Sequence, residues 1–342
     1  MTVLVVNAGS TSLKLHIVDG EESRAVESLD SIPGGVEAVA HRVVHGGELR
    51  EPTLIDDSLQ ARLEQLVELA PLHNRPAVEA IAAARRALPD IPHVAVFDTA
   101  FHATIPDVAA TYALPAEWRR DIRRYGFHGL SVQWASERLG VKRLVVCHLG
   151  GGCSVTAVRD GRSIDTTMGF TPLEGVPMAT RPGSVDPGAI LYLLRRGVEL
   201  GELDDAIEHR SGLLGLSGRS GDVAELERSD AVEARLALDV FAYRVAGAVA
   251  AMAVALDGLD ALVFTAGIGE HSSRVRADVC SRLGFLGVDL DPERNSNPTP
   301  DADVSTKTSA VRVAVIRARE ELVAARAARA LLELAHLRDF AT

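Results

Sequence analysis

VLVVNAGSTSLKLHIVDG (Val3–Gly20) decides the fold, because LVVCHLGGGCSVTAVRDG (Leu144–Gly161) repeats it. Leu4 and Leu144 open the matched runs 140 residues apart, and the second copy carries one more residue in its turn. Each copy reads as an apolar strand, a turn of small residues and a second strand of alternating character that ends in Asp-Gly. A turn of Gly and Ser presents N–H groups and hydroxyls without bulk, which suits a phosphate. Glycine turns are commonplace between the strands of any α/β protein. Two at matching places predict a duplicated, two-domain chain that grips a phosphorylated ligand in a cleft between its domains.

The rest of the composition narrows the class. At 342 residues the chain can fill two domains, and 47% hydrophobic with 24% charged residues is ordinary for a globular protein. A formal net charge of −11 argues against a nucleic-acid surface, so an anionic substrate needs a locally basic pocket. Cys147, Cys153 and Cys280 are too few for a disulfide framework and lack CxxC spacing, which fits a reducing cytoplasm and excludes a zinc knuckle. Val245–Phe264 is the most apolar stretch, but Asp257, Gly258 and Asp260 interrupt it, so it reads as a buried helix feeding a strand and not a membrane span. The N-terminus shows no signal-peptide pattern.

Along the chain, a polar stretch follows Gly20 to about Pro33, and a strand-like region ends at Gly47. Ser58–Leu69, Arg75–Leu88 and Phe127–Leu139 carry helical periodicity, while His93–Phe97 reads as a short buried strand. A long Gly/Pro-rich loop runs from Thr166 to Pro187, and helices fill much of Ala189–Leu256. Ala261–Thr265 is a strand leading into a GIGE turn, Pro292–Ser309 a polar loop, Val311–Ile316 a strand and Arg319–Leu337 a terminal helix. Strand–helix alternation in both halves predicts a mixed α/β fold built twice, with domains 1–103 and 104–320 and the terminal helix, about 321–342, completing the first.

Several polar residues sit where no amphipathic stripe explains them. Ser12, Lys14 and His16 share one strand face and Leu13, Leu15 and Ile17 the other, so a core on the leucine side turns Lys14 towards Asn7 and Ser10. Arg42, His73, Asp98 and His128 occur in short motifs flanked by Gly, Pro and aromatic residues, and Arg181 lies in the long loop. A lone outward lysine or a histidine beside a turn is ordinarily structural. The accumulation of such groups is what points to a shared anionic site.

NAGSTSLK (Asn7–Lys14), HRVVHGG (His41–Gly47), LAPLHN (Leu69–Asn74), VFDTAFH (Val96–His102), YGFHG (Tyr125–Gly129), HLGGG (His148–Gly152), MATRPG (Met178–Gly183) and FTAGIGE (Phe264–Glu270) stand in the order seen in acetate kinases. The chain thus resembles the acetate/propionate kinase family over nearly its whole length. The resemblance implies an actin/sugar-kinase-like (ribonuclease H-like) duplicated fold, a cytoplasmic homodimer, and Mg²⁺-dependent phosphoryl transfer between ATP and a short carboxylate such as acetate, giving acetyl phosphate and ADP. Nucleic acid and membrane are not among the implied partners.

Residue by residue, the resemblance makes Asn7 and Glu320 the magnesium site, with Lys14, Ser10 and Ser12 on the phosphate. Arg42 and Arg181 would bind the carboxylate and the transferring phosphoryl group, His128 would donate to that group with His73 in support, and Asp98 is the essential acid. Val44, Leu72, Phe127 and Pro172 would receive the acyl methyl. The nucleotide would lie against His148, Leu149, Gly150, Gly151 and Gly152, against Asp222, Val223 and Ala224, and against Gly267, Ile268, Gly269, Glu270 and His271. Because acetate is already an anion, the reaction needs positioning and cations more than a base. Asp98 is therefore expected to orient an arginine or a magnesium-bound water.

Departures from the family pattern cluster on the nucleotide side. Gly151 stands where an Asn is usual, His271 replaces an Asn, Val223 and Ala224 replace a larger apolar residue and an arginine, and RAREE replaces a Thr-Asn-Glu-Glu pattern around Glu320. The segment between Gly20 and His41 is also shorter than usual. The acid substrate is therefore expected to be conventional, while the phosphoryl donor preference is either altered or unaffected by drift in adenosine contacts. Propionate kinase and a nucleotide-binding module without turnover are the other readings.

Overall fold

The computed structural model describes residues 1–9, 13–69 and 71–339. It divides into two compact units, Met1–Ala103 with Phe127–Trp134 and Arg319–Thr342, and Thr104–Gly126 with Ala135–Ala318.

The first unit is built on β1 (Val3–Ala8), β2 (Leu13–Asp19), β3 (Glu22–Val26), β4 (Ala38–Val43), β5 (Thr53–Leu54) and β6 (His93–Phe97), in the order β3-β2-β1-β4-β6-β5. β1 pairs antiparallel with β2 and β2 with β3, while β1, β4 and β6 run parallel. β1 is apolar on both faces because both faces are covered. Val3, Val5, Ala40 and Val96 pack under Leu322, Val323 and Ala325 of the terminal helix Glu320–Asp339. On the opposite face Leu4, Val6, Leu15 and Val39 form one cluster, with Ala80 of the helix Pro71–Ala87 packed against it. Each fully buried Val or Leu contributes about 1.5–3 kcal/mol.

The second unit repeats the plan. Its strands are β7 (Arg143–Leu149), β8 (Cys153–Arg159), β9 (Arg162–Thr166), β10 (Ala261–Thr265), β11 (Ala302–Asp303) and β12 (Arg312–Val315), ordered β11-β12-β10-β7-β8-β9. β7, β8 and β9 form an antiparallel meander, and β7, β10 and β12 run parallel, as β1, β4 and β6 do. The repeat in the sequence is thus a repeat of topology. The helix Val232–Leu256 packs on β7 and β8 with Leu238, Phe241, Val245 and Val249 buried. It is long and apolar enough to cross a membrane, but half of its most apolar window is buried in the protein.

Several local expectations change. Each repeat is a three-stranded meander and not a hairpin, since the polar run after Gly20 forms β3 and the run after Gly161 forms β9. β3 is a sheet edge with no buried residue, so it lacks the apolar alternation that marks a covered strand. Leu13 is exposed, whereas Leu15 and Ile17 enter the core. AGIGE is a short helix, Ala266–His271, and not a turn. The helix expected from Arg75 begins at Pro71 and runs through Pro76, and part of the Pro292–Ser309 loop is the short helix Pro292–Ser296.

Candidate active site

In the first unit the polar residues gather where the parallel strands end, the usual ligand position of an open α/β sheet. Asn7 is paired with Lys14 across β1–β2 and with Arg42 across β1–β4, so the three side chains stand side by side on one face. Asp98 follows β6 directly and its N–H donates to Val43 O (3.0 Å). Arg42 Nε lies 3.1 Å from both Asp98 oxygens, and Nη2 donates to Oδ2 at 2.6 Å. Its Nη1 reaches Glu320 Oε2 (2.9 Å) and Asn7 Oδ1 (3.2 Å). Burial alone would lower the pKa of Arg42, but the Asp98 and Glu320 carboxylates outweigh it and hold the guanidinium above its ordinary value. A fixed, permanently charged fork of this kind suits planar oxyanions.

The loop after β4 is clamped from behind. Asn74, fully buried, accepts from His45 N–H (3.0 Å) and donates to His45 O (3.0 Å) and Leu66 O (3.1 Å), and Gly46 N–H donates to Thr99 Oγ1 (3.1 Å). Gly46 cannot carry a side chain, because a Cβ there would lie 2.7 Å from the Phe97 ring. Val44 and Phe127, expected around the acyl methyl, are both buried.

His128 adopts φ = 59°, the left-handed region. Such a conformation costs an L-residue about 1–3 kcal/mol and persists only where its surroundings impose it. Here the helix Gly129–Leu139 begins immediately after it, and a Cβ on Gly129 would lie 2.0 Å from Asp98 O. His102 Nε2–H donates to Phe127 O (2.9 Å), and burial lowers its pKa to about 4, so it stays neutral.

Ser10 and Ser12 lie outside the described residues, as do the side chains of Leu72 and His73 on the helix Pro71–Ala87. Lys14 is exposed on β2. Asn7 and Glu320 form an oxygen-rich pair, Asn7 Nδ2 donating to Glu320 Oε2 at 3.2 Å. Among the described residues no three His, Cys, Asp or Glu cluster to make a complete metal cage. A carboxylate and an amide oxygen leaving most positions to water or phosphate fit Mg²⁺, which dehydrates reluctantly.

In the second unit Arg181 is buried, and its Nη1 donates to Pro172 O (2.9 Å). Burial lowers its pKa. The segment around it is held by backbone bonds: Ala179 N–H to Gly151 O (3.2 Å), Ser211 N–H to Thr180 O (2.8 Å) and Leu213 N–H to Met178 O (2.8 Å). That close packing requires Gly212 and Gly221, where a Cβ would come within 2.2 Å of Met178 O and 2.6 Å of Ala179 O. Arg124 holds the start of the loop, donating to the carbonyls of Thr166, Thr167 and Met168 and to Glu174.

A pocket of about 500 Å³ opens beside this segment, lined by Gly150, Gly151, Asp222, Val223, Ala224, Gly267, Ile268 and His271 among others. Neither packing nor φ requires glycine at 151 or 267, where a Cβ would meet nothing within 4 Å. Their bareness leaves room in the pocket. Others of the expected nucleotide residues form its frame. Leu149 is a core side chain, and His148, paired with Thr265 across β7–β10, is buried. A Cβ on Gly269 would lie 3.2 Å from the Phe264 backbone, and Glu270 Oε1 accepts from Ala266 N–H (3.1 Å) and Ala318 N–H (2.9 Å). Fully buried Arg276 donates to Gly269 O (2.8 Å) and Glu270 O (2.9 Å), fastening the end of that helix. Asn74, Thr99 and His102 lie inside the LAPLHN and VFDTAFH motifs but, like Arg276, carry no signal of their role, because they act on backbone groups that only the tertiary fold brings near.

Two copies of one ribonuclease H-like unit, an architecture shared with solved carboxylate kinases, place the chain among phosphotransferases of the actin-like fold. The chain belongs to the acetokinase family, whose model matches residues 23–326, and so to the phosphotransferases with a carboxyl acceptor. The acetate kinase of Synechococcus sp. (strain JA-2-3B'a(2-13)) is 49% identical over 308 residues, covering 86% of this chain and 76% of that protein. Among solved structures, a propionate kinase from Francisella tularensis superposes with a TM-score of 0.86 at 34% identity, over 95% of this chain and 98% of that one. The acetate kinase of Porphyromonas gingivalis also gives 0.86, at 32% identity over 97% and 99%.

Proposed function

We propose that this protein transfers the γ-phosphoryl group of ATP to acetate, producing acetyl phosphate and ADP. The observation that carries the reading is the Arg42 guanidinium, held in one plane by Asp98 and braced by Glu320 and Asn7. The acetate oxygen is a nucleophile without losing a proton, and the barrier lies in bringing two anions into line. Arg42 offsets that repulsion, and Asp98, whose carboxylate is occupied by Arg42, orients it without serving as a base. Arg181 supplies a second buried cation and His128 an imidazole presented from a strained backbone. Asn7 and Glu320 would hold Mg²⁺, which when bound neutralises phosphate charge. Lys14, beside Asn7 on the sheet, would meet phosphate oxygens, and the glycine-lined pocket would take the nucleotide.

Propionate is the alternative acceptor, supported by the similarity to a propionate kinase. One methylene changes pocket binding by about 1–3 kcal/mol, so both acids are expected to react at unequal rates. A homodimer is supported by apolar surface on the second unit: Leu191, Tyr192, Leu193 and Leu194 on one helix, and Leu236, Tyr243 and Val254 on Val232–Leu256, are exposed. Three buried free thiols fit a cytoplasmic setting. The test is acyl phosphate formation from acetate, propionate and butyrate with ATP and Mg²⁺. Turnover with acetate or propionate supports the reading, and folded protein silent with every acid overturns it.

A further inference from the structure

The nucleotide pocket is chemically lopsided. Asp222, Glu227 and His271 line it, and among its described lining residues there is no lysine or arginine. A triphosphate would be repelled from the Glu227 end, so phosphates belong beside Gly150 and Gly151 and the base beside Glu227, His271 and Ser272.

At that end the hydrogen-bonding polarity is set by neighbours. Ser272 Oγ accepts from Val275 N–H (2.9 Å), capping the helix Ser273–Cys280, and donates to Glu227 Oε1 (2.5 Å). That bond pins the carboxylate and leaves Oε2 as an acceptor. His271 Nδ1 lies 2.8 Å from Gly267 O, and since a carbonyl only accepts, the neutral ring carries its proton on Nδ1 and presents Nε2 as an acceptor. Both residues line the pocket, so among its described lining residues the wall at that end carries acceptors and no donor cation.

We infer that Glu227 and His271 select the base by its exocyclic amino group, admitting adenine and rejecting a base with a carbonyl at the same position. The inference rests on the nucleotide-donor reading above and deepens it. Hypoxanthine has the shape of adenine with the 6-amino group replaced by oxygen, so its carbonyl would face two acceptors.

The test is calorimetric binding of ATP and ITP to the full chain and to Glu227→Gln. The wild type is expected to bind ATP at least about tenfold more tightly than ITP, as hydrogen bonds to a charged acceptor imply. In Glu227→Gln the amide oxygen still accepts from Ser272 while the amide nitrogen can donate to a 6-oxo group, so the ratio is expected to fall to about one or invert. Equal binding of ATP and ITP by the wild type overturns the inference and leaves the kinase reading intact. A Glu227→Gln chain that weakens both nucleotides by one factor, keeping the ratio, reduces Glu227 to a helix-cap partner and also overturns it. Folded wild type that binds neither nucleotide overturns both readings.

Discussion

Arg42 and Asp98 meet edge to edge: Nη2 and Nε of the guanidinium both face the carboxylate, at 2.6 Å and 3.1 Å, and Asp98 is fully buried. The pair ties the end of β4 to the residue after β6, so the aspartate sets the plane of the guanidinium. Arg42→Gln should lower kcat by roughly 10³-fold, the scale of arginine contacts in phosphoryl transfer. Asp98→Asn should cost about 10²-fold through misorientation, with ATP binding by calorimetry unchanged in both. Near-normal turnover in Asp98→Asn would contradict the orienting role.

His128 holds a strained, left-handed backbone. His128→Gly should raise the thermal midpoint, because glycine removes a strain of about 1 kcal/mol or more, while acyl phosphate formation falls sharply. Opposite signs in a melting curve and an assay on one variant are the expected outcome.

Gly129 should tolerate no side chain. Gly129→Ala places a Cβ 2.0 Å from Asp98 O, a clash with backbone that must displace either His128 or Asp98. A loss of about 1–3 kcal/mol or more is expected, visible as a midpoint lowered by several degrees. Gly151→Ala, with no atom within 4 Å of the added methyl, should leave the midpoint unchanged.

A buried histidine pair predicts the pH dependence of stability. His41 Nε2 and His93 Nδ1 are 2.9 Å apart, and His93 Nε2 must donate to Leu88 O (2.9 Å), so His41 donates to His93 and both rings are neutral. Burial, then His93 and Arg85, push His41 down to about 3 from 6.5, and burial lowers His93 as well. The unfolded chain therefore binds more protons below pH 6.5. Stability should fall as pH drops from 6.5 towards 3, by at most about 1.4 kcal/mol per pH unit for His41. His41→Leu should flatten that slope in melting curves taken from pH 4.5 to 7.5.

Much of the architecture was legible because β1, β7 and β8 of the duplicated runs are buried at nearly every position. His93–Phe97 and Ala261–Thr265 stand out for the same reason, each a strand buried at every position. β3 and β9 carry no strand pattern in the sequence because polar residues suffice for a strand with one free edge. GIGE reads as a turn from its glycines, yet it is held as a helix by Arg276, which donates to Glu270 O, and by Ala318 N–H, far along the chain, which donates to the Glu270 carboxylate. Phe127–Trp134 lies in the first unit although it follows residue 104, since Leu130 and Trp134 pack with the terminal-helix core. Arg42 and Asp98 were visible as chemistry out of place. Asn74 and His102, which hold the backbone behind them, stand in the same motifs without a legible role, because a side chain that bonds a main-chain group leaves no mark of that bond in one sequence.

The most direct measurement is the initial rate of acetyl phosphate formation from Mg²⁺, ATP and increasing acetate, for the wild type beside Arg42→Gln. Saturable, acetate-dependent turnover in the wild type, falling by roughly 10³-fold in a folded variant that still binds ATP, is the predicted result. A wild-type rate independent of acetate, or one that Arg42→Gln leaves intact, would contradict the account.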